Sequence, residues 1–270
     1  MLIVDAQVHL WNAGAPNPWH RQIPAYGKDD LLTEMDAAGV DRAVIVPPMW
    51  MGDSNDLALA AAQAHPDRLC VLGRLALDDP ASKEKLHSWT QQPGMRGLRF
   101  TFSKPQEIAW LTDGSLEWLW ASAEHADIPV MVMLSGYLRE AAKIAEAHPE
   151  LRLCIDHLGL VRQATDDAAF ADLPLLLALA DYPNVMVKAT SLPCYSTEPY
   201  PYANLHGYLN QIYDAFGPER MFWGSDVTRL NCTYRECVTL FTEALAWLTP
   251  ADKELIMGRA ICDWLGWDAA

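Results

Sequence analysis

Short aliphatic and β-branched runs alternate with helical patterns along the whole chain. The strand-like runs are Leu2–Leu10, Ala43–Pro47, Leu69–Leu75, Gly97–Phe102, Pro129–Leu134, Leu151–Asp156, Val185–Ala189 and Arg220–Gly224. They recur at roughly 20–40 residues, the repeat of a strand–helix unit. The stretches between them have helix ends that can be read. Asp29-Asp30 opens a helix with Leu31, Leu32, Met35 and Ala38 on one face, and Gly39 ends it. Asp53 or Ser54 can cap Leu57–Ala64, which His65-Pro66 stops. Ala64–Val71 resembles Ala147–Ile155, each a helix end, a proline and then an apolar strand. Eight such units without a linker predict one α/β domain over residues 1–270, a (β/α)8 TIM barrel. An open doubly wound sheet would carry a glycine-rich phosphate turn after its first strand. Here the first strand runs into Trp11-Asn12-Ala13-Gly14.

Composition narrows the class. With 51% hydrophobic and 20% charged residues the chain is globular. Its net charge of −15 repels a phosphate backbone, so no nucleic-acid partner is expected. No apolar run reaches the ~18–20 residues of a membrane span, so no membrane partner is expected either. Met1-Leu2-Ile3-Val4-Asp5 reads as a strand and has neither a basic leader nor a cleavage site. The six cysteines show no CxxC spacing, which fits free thiols in a reducing cytoplasm. The partner expected is a small-molecule substrate. Assembly into a homo-oligomer is left open.

In a barrel, polar residues at the C-terminal strand ends converge on one mouth. Strand 1 supplies Gln7 and His9, two apart and therefore on one face. Arg74, Arg99, His157, Lys188 and Asp226 stand at or near the ends of strands 3, 4, 6, 7 and 8. A lone buried histidine is more often a hydrogen-bonded structural residue, but three strand ends carrying His9, His157 and Asp226 reverse that balance. Arg96 reads as a surface ion pair. Lys188 divides evenly between a structural salt bridge and a pocket charge. His20, His65, His87, His125 and His148 read as solvated, and His206 is placed within reach of the mouth. Long loops at Asn12–Gly27 and Ser191–Tyr202 carry Trp19, Tyr195 and other rings that, with Trp50, either line a pocket or pack on the rim.

These residues fall into motifs. Asp5-Ala6-Gln7-Val8-His9-Leu10-Trp11 resembles the amidohydrolase-superfamily opening D-x-H-x-H-x-W, with Gln7 in place of its first histidine. Ile155–Gly159 resembles the strand-6 histidine motif, and Trp223-Gly224-Ser225-Asp226 the strand-8 G-[ST]-D motif. Leu31–Pro47 and Arg96–Phe100 resemble the amidohydrolase 2 branch, which holds sugar lactonases and 2-pyrone-4,6-dicarboxylate lactonase. The resemblance spans essentially the whole chain and implies hydrolysis of a lactone of a small carboxylated or aromatic-derived metabolite. Asp226 would act as general base on water, and His9 and His157 would polarise the carbonyl or orient the water. Gln7 would be a hydrogen-bond donor. Arg99, with Arg74 or Lys188, would hold a carboxylate, and Trp50 and Tyr195 would line the pocket. Gln7 removes one imidazole of the metal-binding pair, and Val132–Ser135 offers no replacement ligand. The expectation is therefore that no cofactor is required. The alternative is one divalent zinc on His9, His157 and Asp226. Two rival functions are a metal-dependent non-oxidative decarboxylase of an aromatic or muconate-type acid, and a barrel that binds a metabolite without turning it over.

Overall fold

The eight apolar runs become the strands β1 Val4–Val8, β2 Arg42–Ile45, β3 Leu69–Gly73, β4 Met95–Thr101, β5 Val130–Met133, β6 Leu153–Ile155, β7 Val185–Thr190 and β8 Met221–Gly224. In the computed structural model, which describes residues 1–268, they pair in sequence order, each parallel to the next. Helices cover the outer face, so both faces of every strand are buried and the strands read as continuous apolar runs.

The ring closes between β8 and β1. There the Asp226 N–H donates to the Gln7 carbonyl at 2.9 Å. The buried Asp5 carboxylate accepts the Ser225 N–H at 2.8 Å, the Tyr234 hydroxyl at 2.5 Å and the Ser225 hydroxyl. Burial pushes the Asp5 carboxyl up to about 6 against the pull of these donors. The aspartate of the opening motif is thus a seam residue, set below the mouth.

Inside the barrel, Val4, Val44, Leu72, Met131 and Phe222 pack on Ile261, Trp264 and Leu265 of the last helix, Ala260–Leu265. That helix plugs the N-terminal end of the barrel. Arginines at the strand starts hold it there: Arg42 donates to the Asp268 carbonyl at 2.7 Å and Arg96 to Gly266 at 3.0 Å, while Arg152 donates to Trp264. Cations at the carbonyl end of a helix are favoured by its dipole.

The opposite end is built differently. Just past β6, β7 and β8, His157, Ser191 and Asp226 adopt left-handed backbone with φ of 51°, 59° and 53°. Each such residue costs on the order of 1–2 kcal/mol. Three of them on neighbouring strand ends mark this rim as one whose side-chain directions are held against strain. All six cysteines are free thiols. Among the described residues no helix is long and apolar enough to cross a membrane.

Candidate active site

His9 leaves the end of β1 buried, its Nδ1 2.7 Å from the Val46 carbonyl beyond β2. The following loop is closed at its base by paired backbone hydrogen bonds between Trp11 and Tyr26, of 3.0 and 2.9 Å. Gly14 is needed in it: its φ is +79°, and a Cβ there would meet the Trp50 carbonyl at 2.6 Å. The loop is then tied to the segment after β8. The Arg21 N–H donates to the Thr228 carbonyl at 2.9 Å, and His20 Nδ1 lies 2.8 Å from the Thr228 hydroxyl. This brings His20 Nδ1 to 3.9 Å from Asp226 Oδ1, with only 8% of the His20 side chain exposed. The sequence reading of His20 as solvated is corrected here. The signal available was its place between Trp19 and Arg21 in an overlong loop directly after the first strand.

A cavity of about 350 Å³ opens at this rim, lined by Gln7, His9, His20, Arg99, His157 and Asp226 among others. Trp50 and Tyr195, singled out from the sequence, also line it, as do Trp19, Arg162 and Arg229. Arg74 and Lys188 do not. Arg74 is buried beside Asp53 (3.6 Å) in a neighbouring hollow. Lys188 is fully buried beneath the floor, 2.7 Å from Asp156 Oδ1, and its Nζ donates to Gln7 Oε1 at 2.7 Å. Arg99 faces the cavity, but its Nε already donates to Asp156 Oδ2 at 2.7 Å and its Nη1 to Thr101. Arg229 was not picked out from the sequence. Its guanidinium lies 3.7 Å from Asp226 Oδ2 and over the Tyr195 ring, 21% exposed toward the mouth. Its signal was its position three residues beyond the strand-8 aspartate. His148 is buried between Glu124 (3.0 Å) and Glu117 (3.1 Å), so its solvated reading is also corrected. His206 bonds the Pro201 carbonyl at 2.8 Å and does not line the cavity.

The electrostatics divide the mouth into fixed charges and neutral rings. Burial lowers the pKa of His9, and brings both His20 and His157 down to about 3, so all three rings are neutral near pH 7. Burial would raise the Asp226 carboxyl, but the field of His9, His20, Arg229 and His157 outweighs it and holds the group far below the ordinary range. Asp156 is held at about 2, because Lys188 and Arg99 outweigh its burial. Three cations, Arg99, Lys188 and Arg229, thus stand against two carboxylates, Asp156 and Asp226.

One ligand atom each from His9, His20 and Asp226 lie within 4.8 Å of one another. Asp226 Oδ1 is buried with no hydrogen-bond donor among the described residues. Two neutral imidazoles and one ionised carboxylate with a fourth side open to a cavity are the donor set of a catalytic zinc. The residues therefore fit a divalent ion, with His20 in the place that the sequence reading gave to His157.

The family model described as Amidohydrolase matches residues 4–264. An L-fucono-1,5-lactonase of Burkholderia ambifaria is 26% identical over 84% of this chain and 81% of its own length. A 4-sulfomuconolactone hydrolase of Rhizobium radiobacter is 27% identical over 82% of this chain and 74% of its own. Among solved structures, an amidohydrolase of Burkholderia multivorans with bound zinc superposes with a TM-score of 0.81 at 22% identity, covering 98% of this chain and 99% of that one. The expectation that no cofactor is required is overturned by the His9–His20–Asp226 cluster together with the zinc of this structural neighbour. Gln7 weakened only one side of the mouth, because a loop residue invisible to a strand-end reading, His20, stands where it could serve as a ligand beside His9 and Asp226. Purified protein is expected to carry about one equivalent of a divalent ion, and chelation is expected to abolish turnover until zinc is restored. His20→Ala is expected to lower metal affinity by more than the ~10–100-fold that loss of an outer partner costs. Calorimetric titration with zinc checks this, and unchanged affinity would remove His20 from the ligand set.

Proposed function

The chain belongs to the amidohydrolase family, and from that premise and the geometry of the mouth we propose that it hydrolyses the ester bond of a small lactone bearing an acidic group. The observation that carries this reading is Asp226 Oδ1, a buried, ionised carboxylate oxygen without a donor, turned toward a cavity walled by neutral imidazoles. Such an atom can take a proton from a water molecule at neutral pH. The water oxygen bonds to the lactone carbonyl carbon and its proton passes to Asp226. The tetrahedral adduct then collapses by breaking the ring C–O bond. The low proton affinity of Asp226 favours handing that proton to the departing alkoxide, which leaves a hydroxy acid. His9, His20 and Asp226 would hold the divalent ion, which when bound polarises a carbonyl and acidifies a water.

Arg229 is the cation best placed for the acidic group of the substrate, since it borders the mouth and its contact with Asp226 is long, at 3.7 Å. Arg162 lies on the same cavity wall. Trp19 and Trp50 offer flat apolar faces to the ring. The two lactone-acting relatives support the reaction class. The test is a panel of charged and neutral five- and six-membered lactones, followed by proton release as each ester becomes an ionised acid. Turnover of a lactone by the zinc-loaded protein is the expected result, and inertness toward the whole panel would overturn the reading.

A further inference from the structure

The Gln7 side chain reaches two opposite environments, and chemistry alone fixes which end of the amide faces which. Toward the barrel interior it meets Lys188 Nζ at 2.7 Å. That ammonium is paired with Asp156 at 2.7 Å and has only hydrogens to offer, so the amide atom facing it is the oxygen. The NH2 end is consequently turned into the mouth. There it lies 3.3 Å from His157 Nε2 and 3.4 Å from both His9 Nε2 and Asp226 Oδ2. An NH2 group has no lone pair for a hydrogen bond, so each ring nitrogen facing it is set to accept. The other nitrogen of each ring faces a backbone carbonyl, which can only accept: His9 Nδ1 is 2.7 Å from Val46 and His157 Nδ1 is 3.4 Å from Thr190. For His157 the two constraints agree; His9 Nε2 also lies 3.4 Å from the acceptor Asp226 Oδ1, and there the shorter 2.7 Å contact of Nδ1 with the Val46 carbonyl decides the tautomer.

We propose that Lys188 is a positioning residue: by holding the Gln7 carbonyl oxygen it fixes His9 and His157 as Nδ1–H tautomers whose Nε2 lone pairs both face the mouth. Lys188 touches neither the cavity nor the reacting atoms. It acts through Gln7, and the Asp156 carboxylate, itself gripped by Arg99, keeps the ammonium in place. The arrangement changes the roles of the two histidines in the resting enzyme. Neither ring presents an N–H to the carbonyl oxygen of a substrate in the mouth. The Nε2 lone pairs that face the Gln7 NH2 in the resting enzyme are the ones that His9 would give to a cation and His157 to a water hydrogen once either is bound. It also gives the glutamine of the opening motif a purpose, because a histidine at that position could not accept from Lys188 and turn an NH2, with its two hydrogens shared among His9, His157 and Asp226, into the mouth. The tautomer assignment stands on hydrogen bonding alone; its kinetic consequence rests on the lactone-hydrolysis reading.

The test is nitrogen NMR of histidine-labelled, zinc-loaded protein, following the two-bond ring couplings of His157, with steady-state kinetics on the best lactone. In the unmodified protein His157 is expected to show a protonated Nδ1 and a bare Nε2. In Gln7→Glu the carboxylate keeps the Lys188 contact but presents an oxygen to the rings, so His157 is expected to move its proton to Nε2. In Lys188→Met the amide is free to turn over. His157 is then expected to populate both tautomers, and kcat to fall about 10²-fold, the scale of a misplaced catalytic group, with KM nearly unchanged. A bare Nδ1 in the unmodified protein overturns the proposal, as does a Gln7→Glu spectrum identical to it. These two spectra decide the matter even if Lys188→Met does not fold. A protein that turns over no lactone would still give the tautomers, so failure of the reaction reading and failure of this one are separable.

Discussion

Replacing Asp226 with asparagine is expected to lower kcat by ~10²–10⁴-fold, the contribution of a positioned proton acceptor. The substitution keeps the shape of the side chain and an oxygen for Gln7 Nε2 and Ser191, both now 3.4 Å from Oδ2. It also keeps the backbone contact to Gln7 that closes the barrel seam. Circular dichroism is therefore expected to be unchanged. What is lost is the anionic oxygen that stands without a donor in the cavity. The same variant is to be assayed for zinc content, because Asp226 belongs to the His9–His20–Asp226 cluster. A variant that retains zinc yet loses turnover assigns the loss to proton transfer. A near-normal rate removes Asp226 from the mechanism altogether.

The strands were legible because both of their faces are buried. A continuous apolar run between a proline stop and a polar end leaves little choice of element, and every run became a strand shifted by a few residues at most. The strand ends were legible for the same reason: polar residues within or just past the C-terminal half of an apolar run lie toward the mouth, and Gln7, His9, Arg99, His157 and Asp226 all line the cavity. Two things were hidden. Partnership was one. Arg99 and Lys188 stand at the expected strand positions, yet both spend their charge on Asp156, a residue the sequence shows only as the start of a histidine motif. Loop closure was the other. His20 reaches Asp226 only because the loop after β1 is stitched to Thr228, more than two hundred residues away in the chain, and no local pattern records such a stitch. The mistaken expectation about the metal follows from this second kind of blindness, since counting ligands along strands omits any ligand a loop brings back.

Because Arg99 is committed to Asp156, the test of substrate charge falls on Arg229. Replacing Arg229 with methionine keeps much of the packing against Tyr195 and removes the guanidinium that borders the mouth. For a lactone carrying a carboxylate or sulfonate, kcat/KM is expected to fall by about 2–5 kcal/mol, the cost of truncating one partner of a desolvated charge pair. A neutral lactone of the same ring size reports any effect that acts through Asp226, whose carboxyl Arg229 helps to hold in its ionised form. That loss is expected to be much smaller, because His9, His20 and His157 act on Asp226 in the same direction. Lysine at this position is expected to restore part of the binding, since it returns the charge without the planar fork. Arg99→Met is the matched control. It leaves Asp156 to Lys188 alone and disturbs the support beneath Gln7, so its losses are expected to be alike for charged and neutral lactones. Equal losses for both lactones in Arg229→Met would place that residue in the same supporting role and leave the acidic group of the substrate without a partner.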